Sequence, residues 1–258
     1  MTVLTFAKWI VGAPAWIASL PEGLQRLIFQ FYQVFIYENR WKFFTDGLAT
    51  TFIVTIGALL IGVVIGMIVA LIRSTHDNQM RKPNIILRIL NSICKIYVTV
   101  LRGTPLMVQL LIMGFVVMVP KTSFQTTLCA IITLGINSGA YVAEIARSGI
   151  MSINAGQMEA GRSLGLNYAQ TMWHIILPQA FKNILPALGN ELIALLKETS
   201  LVTVIALQDV TKAAQVIVSK AYTAVIPYIS LALIYLVLVM ILTKLLGILE
   251  RRLRKSER

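Results

Sequence analysis

The chain has 258 residues, of which 57% are hydrophobic and only 13% charged. Soluble domains average about 25% charged residues, so this composition excludes an ordinary soluble fold and calls for lipid as solvent. A formal charge of +12 does not signal nucleic-acid binding, because the Lys and Arg lie between apolar blocks, where membrane proteins concentrate positive charge, and not on an aromatic-rich polar face. Cys94 and Cys129 lie in or beside apolar blocks, and His76 and His174 have no neighbour at ligand spacing. Cysteines placed this way behave as small buried apolar residues, and no metal site is expected.

Residues 1–45 form the first region. Trp9 to Pro21 is apolar but too short to span. Gln25 to Tyr37 is aromatic-rich and amphipathic, which suits a helix lying in the outer membrane interface. A sixth, tilted span is the alternative reading, and the start lacks the strongly basic region and clear cleavage site of a signal peptide.

A span needs about 20 mostly apolar residues to cross roughly 30 Å of hydrocarbon. The first such block, Gly47 to Ile72, is uncharged and carries Ala58, Gly62, Gly66 and Ala70 at steps of four. On a helix these make one ridge of small residues that admits a neighbouring backbone. A charged loop, Arg73 to Lys82, is expected next. From Ile85 an amphipathic lead-in helix should pass into a second span at about Cys94 to Val119, with Arg102 and Gln109 seven apart on one side. The third block, Thr122 to Ala143, is uncharged and ends at Glu144 and Arg147. A polar stretch from Ser148 to Lys182 follows. The fourth span is expected from about Asn183 and is interrupted by Glu191, Lys197 and Glu198. The fifth, Ala221 to Thr243, leads into a basic tail.

The polar stretch reads as a helix, a stop and a second helix. Gly165 suits the left-handed position that ends a helix. Asn167 with Gln170 three residues on makes a capping box that starts another. Pro178 is expected to end or kink it. A structured helix pair between two spans could offer a rigid knob to a cytoplasmic partner, or serve as a plain linker.

The same segment resembles the EAA loop of ABC importer permeases, in which Glu-Ala-Ala is followed after three residues by Gly and later by Ile-x-Leu-Pro. Here these are Glu159, Ala160 and Gly161, then Gly165 and Leu166, then Ile175, Leu177 and Pro178. Gly161 replaces the second Ala, at a cost to local helix stability of roughly 1 kcal/mol. In that family the loop docks into a groove on the ATP-hydrolysing subunit. Three further segments resemble polar amino-acid permeases: Arg102-Gly103-Thr104-Pro105-Leu106 with Gln109, Gly139 to Ile145, and Leu195 to Leu201, where Glu198 stands for the more usual Asp. The resemblance covers about residues 45 to 250.

It implies an all-α polytopic membrane protein with five transmembrane helices, a cytoplasmic coupling helix pair within 148–178, and an N-terminal amphipathic segment. The regions are then residues 1–45, interfacial; 46–250, the permease domain; and 251–258, a basic cytoplasmic tail. Implied partners are a cytoplasmic ABC ATPase dimer, a second permease subunit (a second copy or a related chain), an external amino-acid-binding protein and the lipid bilayer, with no nucleic acid. The place is a bacterial plasma membrane. No G-x-x-x-x-G-K-[ST] phosphate loop occurs, so the chain is expected to need no cofactor and to be no enzyme, with ATP and Mg bound by the ATPase subunit. The rivals are a secondary transporter or channel that needs no ATPase, and a membrane-embedded enzyme, for which no catalytic cluster is visible.

Charged groups inside a bilayer usually face a partner or a wet cavity. Arg102, Thr104 and Gln109 on the second span, Asn137, Tyr141 and Glu144 on the third, and Asn190, Lys197, Glu198, Thr199 and Ser200 on the fourth are the candidates to line the path. A zwitterionic amino acid needs a cation for its carboxylate, Lys197 or Arg102, and an acceptor for its ammonium group, Glu198 or Glu144. The alternative is that Arg102 and Lys197 pair with Glu144, Glu191 or Glu198 to hold the bundle.

Basic residues collect after the first span, after the third and in the tail, whereas the opposite loops hold only Lys121, Lys212 and Lys220. This bias puts the N-terminus outside and the C-terminus inside. Single cysteines at Lys121 and Lys212 should therefore react with an impermeant thiol reagent in sealed cells; labelling only after lysis would overturn the five-span topology.

Overall fold

A computed structural model describes residues 5–77 and 83–255. Its described residues hold helices and connecting turns, with no strand. Three helices are long and apolar enough to cross a membrane: α4 (Trp41–Asp77), α7 (Ser123–Met151) and α12 (Val225–Lys255). Two bent pairs raise the number of candidate spans to as many as five if each pair is one span.

The chain divides into two compact units. One comprises residues 1–50 and 208–237. It opens with three short helices, α1 (Phe6–Val11), α2 (Ala15–Ala18) and α3 (Glu22–Phe31). Phe6 and Trp9 of α1 pack on Phe29 of α3 with ring centroids 5.5 and 5.3 Å apart. The link to α4 is a kink. Glu38 and Asn39 take left-handed backbone, at φ 55 and 53. Arg40, only 4% exposed, donates to the Gln33 carbonyl at 3.1 Å and stacks on Tyr37. Burying that cation is tolerable because Glu38 Oε2 stands 3.3 Å from its Nη2 and supplies the counter-charge. In the same unit Asp209 caps α11 (Val210–Ala221), accepting from the N–H groups of Thr211 and Lys212 at 3.1 and 2.8 Å.

The other unit comprises residues 51–207 and 238–258, and α7 is its centre. Thr122 caps α7 by accepting from Gln125 N–H. The helix runs past the expected boundary at Ala143 to Met151, because Glu144 and Arg147 find ionic partners. The ridge of small residues on α4 meets it: Ala58 and Ala70 are fully buried, and a Cβ on Gly66 would stand 2.6 Å from Val142 Cβ and 2.9 Å from the Ala143 backbone nitrogen. From the other side Gly139 of α7 leaves room for Tyr97, whose hydroxyl donates to the Ile136 carbonyl at 2.6 Å.

Four expectations need correction. Residues 73–77 are not loop but the last turns of α4, held there by ion pairs described below; residues 78–82 lie outside the described residues. The second span is not straight. α5 (Ile85–Gly103), capped by Asn84, bends by 104° into Leu106–Val117, which contains α6 (Leu106–Ile112). Pro105 supplies no N–H and holds Thr104 extended. Pro178 does not end a helix. It follows a widened turn, Met172–Ile176, in which Leu177 N–H donates to the carbonyl of Met172, five residues back, and this turn makes room for the proline ring. The helix that starts within the polar stretch is accordingly continuous from Tyr168 to Ile205, so the span expected from Asn183 lies within a longer helix that includes α10 (Leu177–Glu198).

Replacing Gly66 by Ala forces α4 and α7 apart, because the nearest atoms include backbone. Overpacking of this kind costs about 1–3 kcal/mol, and Gly66→Ala should lower the thermal unfolding temperature in detergent. An unaltered melting curve would mean that the two helices do not approach as described.

Candidate functional site

The break in α5–α6 is the first polar centre. The carbonyls of Leu101 and Thr104 lose their helical donors there, and a bilayer supplies none. Gln109 Nε2 donates to the Leu101 carbonyl at 2.9 Å, the Thr104 carbonyl at 3.2 Å and Thr104 Oγ1 at 2.9 Å. Asn137 of α7 donates to Gln109 Oε1 at 2.9 Å and to the Leu101 carbonyl at 3.2 Å. The structure thus gathers Thr104, Gln109 and Asn137, and their hydrogen bonds hold the bend. Arg102 and Gln109 do not share a face of one helix, since the break lies between them.

Arg102 instead lays its guanidinium over the ring of Tyr141, 5.1 Å from the centroid. One turn along α7, Glu144 is bound by Arg73 of α4 and lies 3.6 Å from Arg147 Nη2. Arg147 also reaches Asp77 at 3.2 Å. Glu144 therefore pairs with Arg73 and Arg147, and neither Arg102 nor Lys197 takes that place. An open cavity of about 400 Å³ lies here, lined by Arg73, Lys95, Val98, Thr99, Arg102 and Glu144. Arg73, Lys95 and Thr99 escaped the sequence reading. The signal was present for two of them: Lys95 and Thr99 fall at helical spacing before Arg102.

On α10 the candidates separate. Glu191 accepts from Ser138 Oγ of α7 at 2.6 Å. Asn190 is exposed and donates to the Pro186 carbonyl at 3.3 Å. Lys197 is exposed and Glu198 half-buried; among the described residues neither has an oppositely charged group within 4 Å. Thr199 is buried and donates to the Leu196 carbonyl at 2.7 Å, where the helix tightens into the 3₁₀ segment Thr199–Ile205. Ser200 belongs to that segment, its carbonyl accepting from Thr203. Thr199 and Ser200 thus have local structural partners.

The second centre is the helix pair after α7. Asn154 caps α8 (Ala155–Ser163) by accepting from Gly156 N–H at 2.8 Å. Gly165 has φ +86. Its N–H donates to the Arg162 carbonyl, and Leu166 N–H donates to the Gly161 carbonyl, the paired bonds of a Schellman stop. Asn167 and Gln170 then bond reciprocally at 2.9 Å to start α9 (Tyr168–Thr171). Gly161 is buried where α8 presses on the next helix, and a Cβ there would stand 2.5 Å from Thr171 Cγ2. Gly161 therefore provides close approach, which offsets its weak helix propensity.

Met158, Ile175 and Leu177 pack on a buried cluster that joins Ala146 and Ile150 of α7 to Met172, Ile176 and Ala180. Glu159, Ala160 and Pro178 are exposed. So are Leu164 at 81% and Trp173 at 69%, two apolar surfaces that the sequence reading passed over although they stand out in a polar stretch. Among the described residues no group of three or more His, Cys, Asp or Glu side chains is placed to hold a metal.

Residues 84–255 match the family described as the binding-protein-dependent transport system inner membrane component. The arginine transport system permease protein ArtQ of Bacillus subtilis is 40% identical over 218 residues, covering 83% of this chain and 94% of that protein. The L-cystine transport system permease protein TcyB of the same organism is 32% identical, covering 84% and 89%. A crystal structure of an amino acid ABC transporter with histidines superposes with a TM-score of 0.72 at 42% identity, covering 82% of this chain and 94% of that one. The all-helical fold of this chain is thus that of an ABC permease, and the chain is a member of the family of inner-membrane permease components of binding-protein-dependent transport systems.

Proposed function

We propose that the chain is the membrane-spanning permease subunit of an ATP-driven importer for polar amino acids. It forms the translocation path and couples it, through residues 148–178, to a cytoplasmic ATPase dimer. The observation that carries the coupling is the exposed helix pair itself. A Schellman stop, a capping box and a glycine contact fix its shape, while Leu164 and Trp173 stay uncovered by the described residues. Apolar groups presented on a rigid element suit a protein partner. A secondary transporter or channel has no use for such a knob.

In this reading each bent helix pair is one span, giving five. The N-terminus lies outside and the C-terminus in the cytoplasm of a bacterial cell. Residues 1–45 rest in the outer interface, 46–250 form the permease domain and 251–258 the basic tail. A second permease subunit completes the path, an external binding protein delivers the amino acid, and ATP and Mg belong to the ATPase subunits. Relatives named for arginine and cystine support an amino acid as cargo. Arg102, Tyr141, Lys197 and Glu198 are the candidates to meet it. Asn190 and Ser200 line its route, Thr199 backs it from its buried place in the helix, and Thr104, Gln109, Asn137 and Glu144 shape the walls.

Two predictions test this. Valine at Gly165 cannot take left-handed backbone without a penalty of roughly 1–2 kcal/mol, so Gly165→Val should leave the permease in the membrane and weaken ATPase binding. Glu159→Lys should do the same by reversing a charge at the docking surface. Full substrate-stimulated ATP hydrolysis and uptake in both variants would refute the docking role. Among the described residues Lys197 has no carboxylate within 4 Å, so Lys197→Met should change folding stability by no more than about 0.5 kcal/mol. Basal ATP hydrolysis should persist while uptake falls. Either a variant that fails to assemble or one that transports like the parent argues against substrate contact at Lys197.

A further inference from the structure

Five polar residues of α5 form one stripe. Arg88, Ser92, Lys95, Thr99 and Arg102 follow at steps of four and three and so share a helix face. The buried seam of Asn91, Cys94 and Val98 lies to one side of this stripe, and exposed Ile93, Ile96 and Val100 lie to the other. Its three cations stand two turns apart, roughly 10 Å at each step. The upper two line the cavity of about 400 Å³ together with Arg73 and Glu144. Glu144 is already shared by Arg73 and Arg147. Lys95 and Arg102 have no carboxylate within 4 Å among the described residues, and Arg73 Nε is buried without a partner. The cavity therefore carries an excess of positive charge within a membrane-spanning region, where a cation needs a counter-charge or water.

Building on the amino-acid permease reading, we infer that Lys95 is a carboxylate way-station. With Arg102 before it and Arg88 after it, it passes the carboxylate of the transported amino acid along α5 into the cytoplasm. The carboxylate is the anionic group common to every amino acid, so the stripe would serve whichever side chain is carried. Arg102, stacked on Tyr141, is held in place. Lys95, a compact charge on a flexible stem, can reach toward either neighbour. Conduction through such a row requires each station to hold its ion weakly enough to release it, and three isolated cations meet that need better than one enclosed site.

The test uses the assembled complex of this chain with its ATPase and binding protein in proteoliposomes. The probe is the labelled amino acid that the parent complex takes up fastest. Lys95→Glu should lower maximal uptake by about tenfold, since like charge placed on the route repels the carboxylate. Lys95→Gln should lower it less, and Lys95→Arg should restore it. Binding-protein-stimulated ATP hydrolysis and the substrate concentration for half-maximal uptake should stay near the parent values in all three. Parent-like uptake by Lys95→Glu overturns the inference, as does joint loss of uptake and ATP hydrolysis in Lys95→Arg, which would mark a structural lysine. A Lys95→Glu defect that vanishes in vesicles of phosphatidylcholine alone would assign the cavity to a lipid phosphate and also overturn it. Absence of ATP-dependent uptake by the parent complex would instead refute the importer reading.

Discussion

α7 lies so close to its neighbours that several of its contact positions have no room for a side chain or a larger one. Gly139 faces Tyr97 and Ile65, Gly149 faces Ile184, and on the facing helix Gly66 meets Val142. In lipid no hydrophobic gain drives helices together, so association rests on close packing and on hydrogen bonds between helices. Ser138 to Glu191 and Tyr97 to the Ile136 carbonyl are two such bonds, and both act on α7. The helix continues unbroken from the polar residues Asn137 and Tyr141 to Met151, and α8 starts at Ala155. One rigid element thus joins the polar centre to the exposed helix pair.

The second organising fact is that many polar groups within the spans are already engaged. Gln109 and Asn137 replace the donors lost at the break, Glu144 is matched by Arg73 and Arg147, and Glu191 has Ser138. What remains uncommitted by ion pairing is mostly cationic: Lys95, Arg102 and Lys197, with Glu198 beside the last. A path with excess positive charge in this part of the chain suits an anionic group on the cargo.

Features that depend on a few consecutive residues were legible in the sequence. Gly165 at a left-handed stop, the Asn167–Gln170 capping box and the Ala58–Ala70 ridge each follow from local spacing, and each stands in the structure. The motif that gave the family did so because its residues serve backbone geometry at fixed distances. Features that depend on a distant partner were not legible. Pro105 was visible, but the bend it marks is held by Asn137, 32 residues later in the sequence. Arg73 read as a loop cation because its partner, Glu144, lies on another helix. Pro178 read as the end or a kink of its helix because a widened turn ahead of it leaves no trace in hydrophobic pattern. Gly161 read as a small defect until Thr171 was seen pressing on it.

In the proposed function the chain is a passive path worked by an ATPase. The most direct measurement is uptake by proteoliposomes that contain this chain, with its ATPase and binding protein added or withheld. ATP-dependent accumulation of an amino acid that stops when either partner is omitted is the predicted result. Accumulation by the chain alone, driven by an ion gradient and indifferent to ATP, would contradict it.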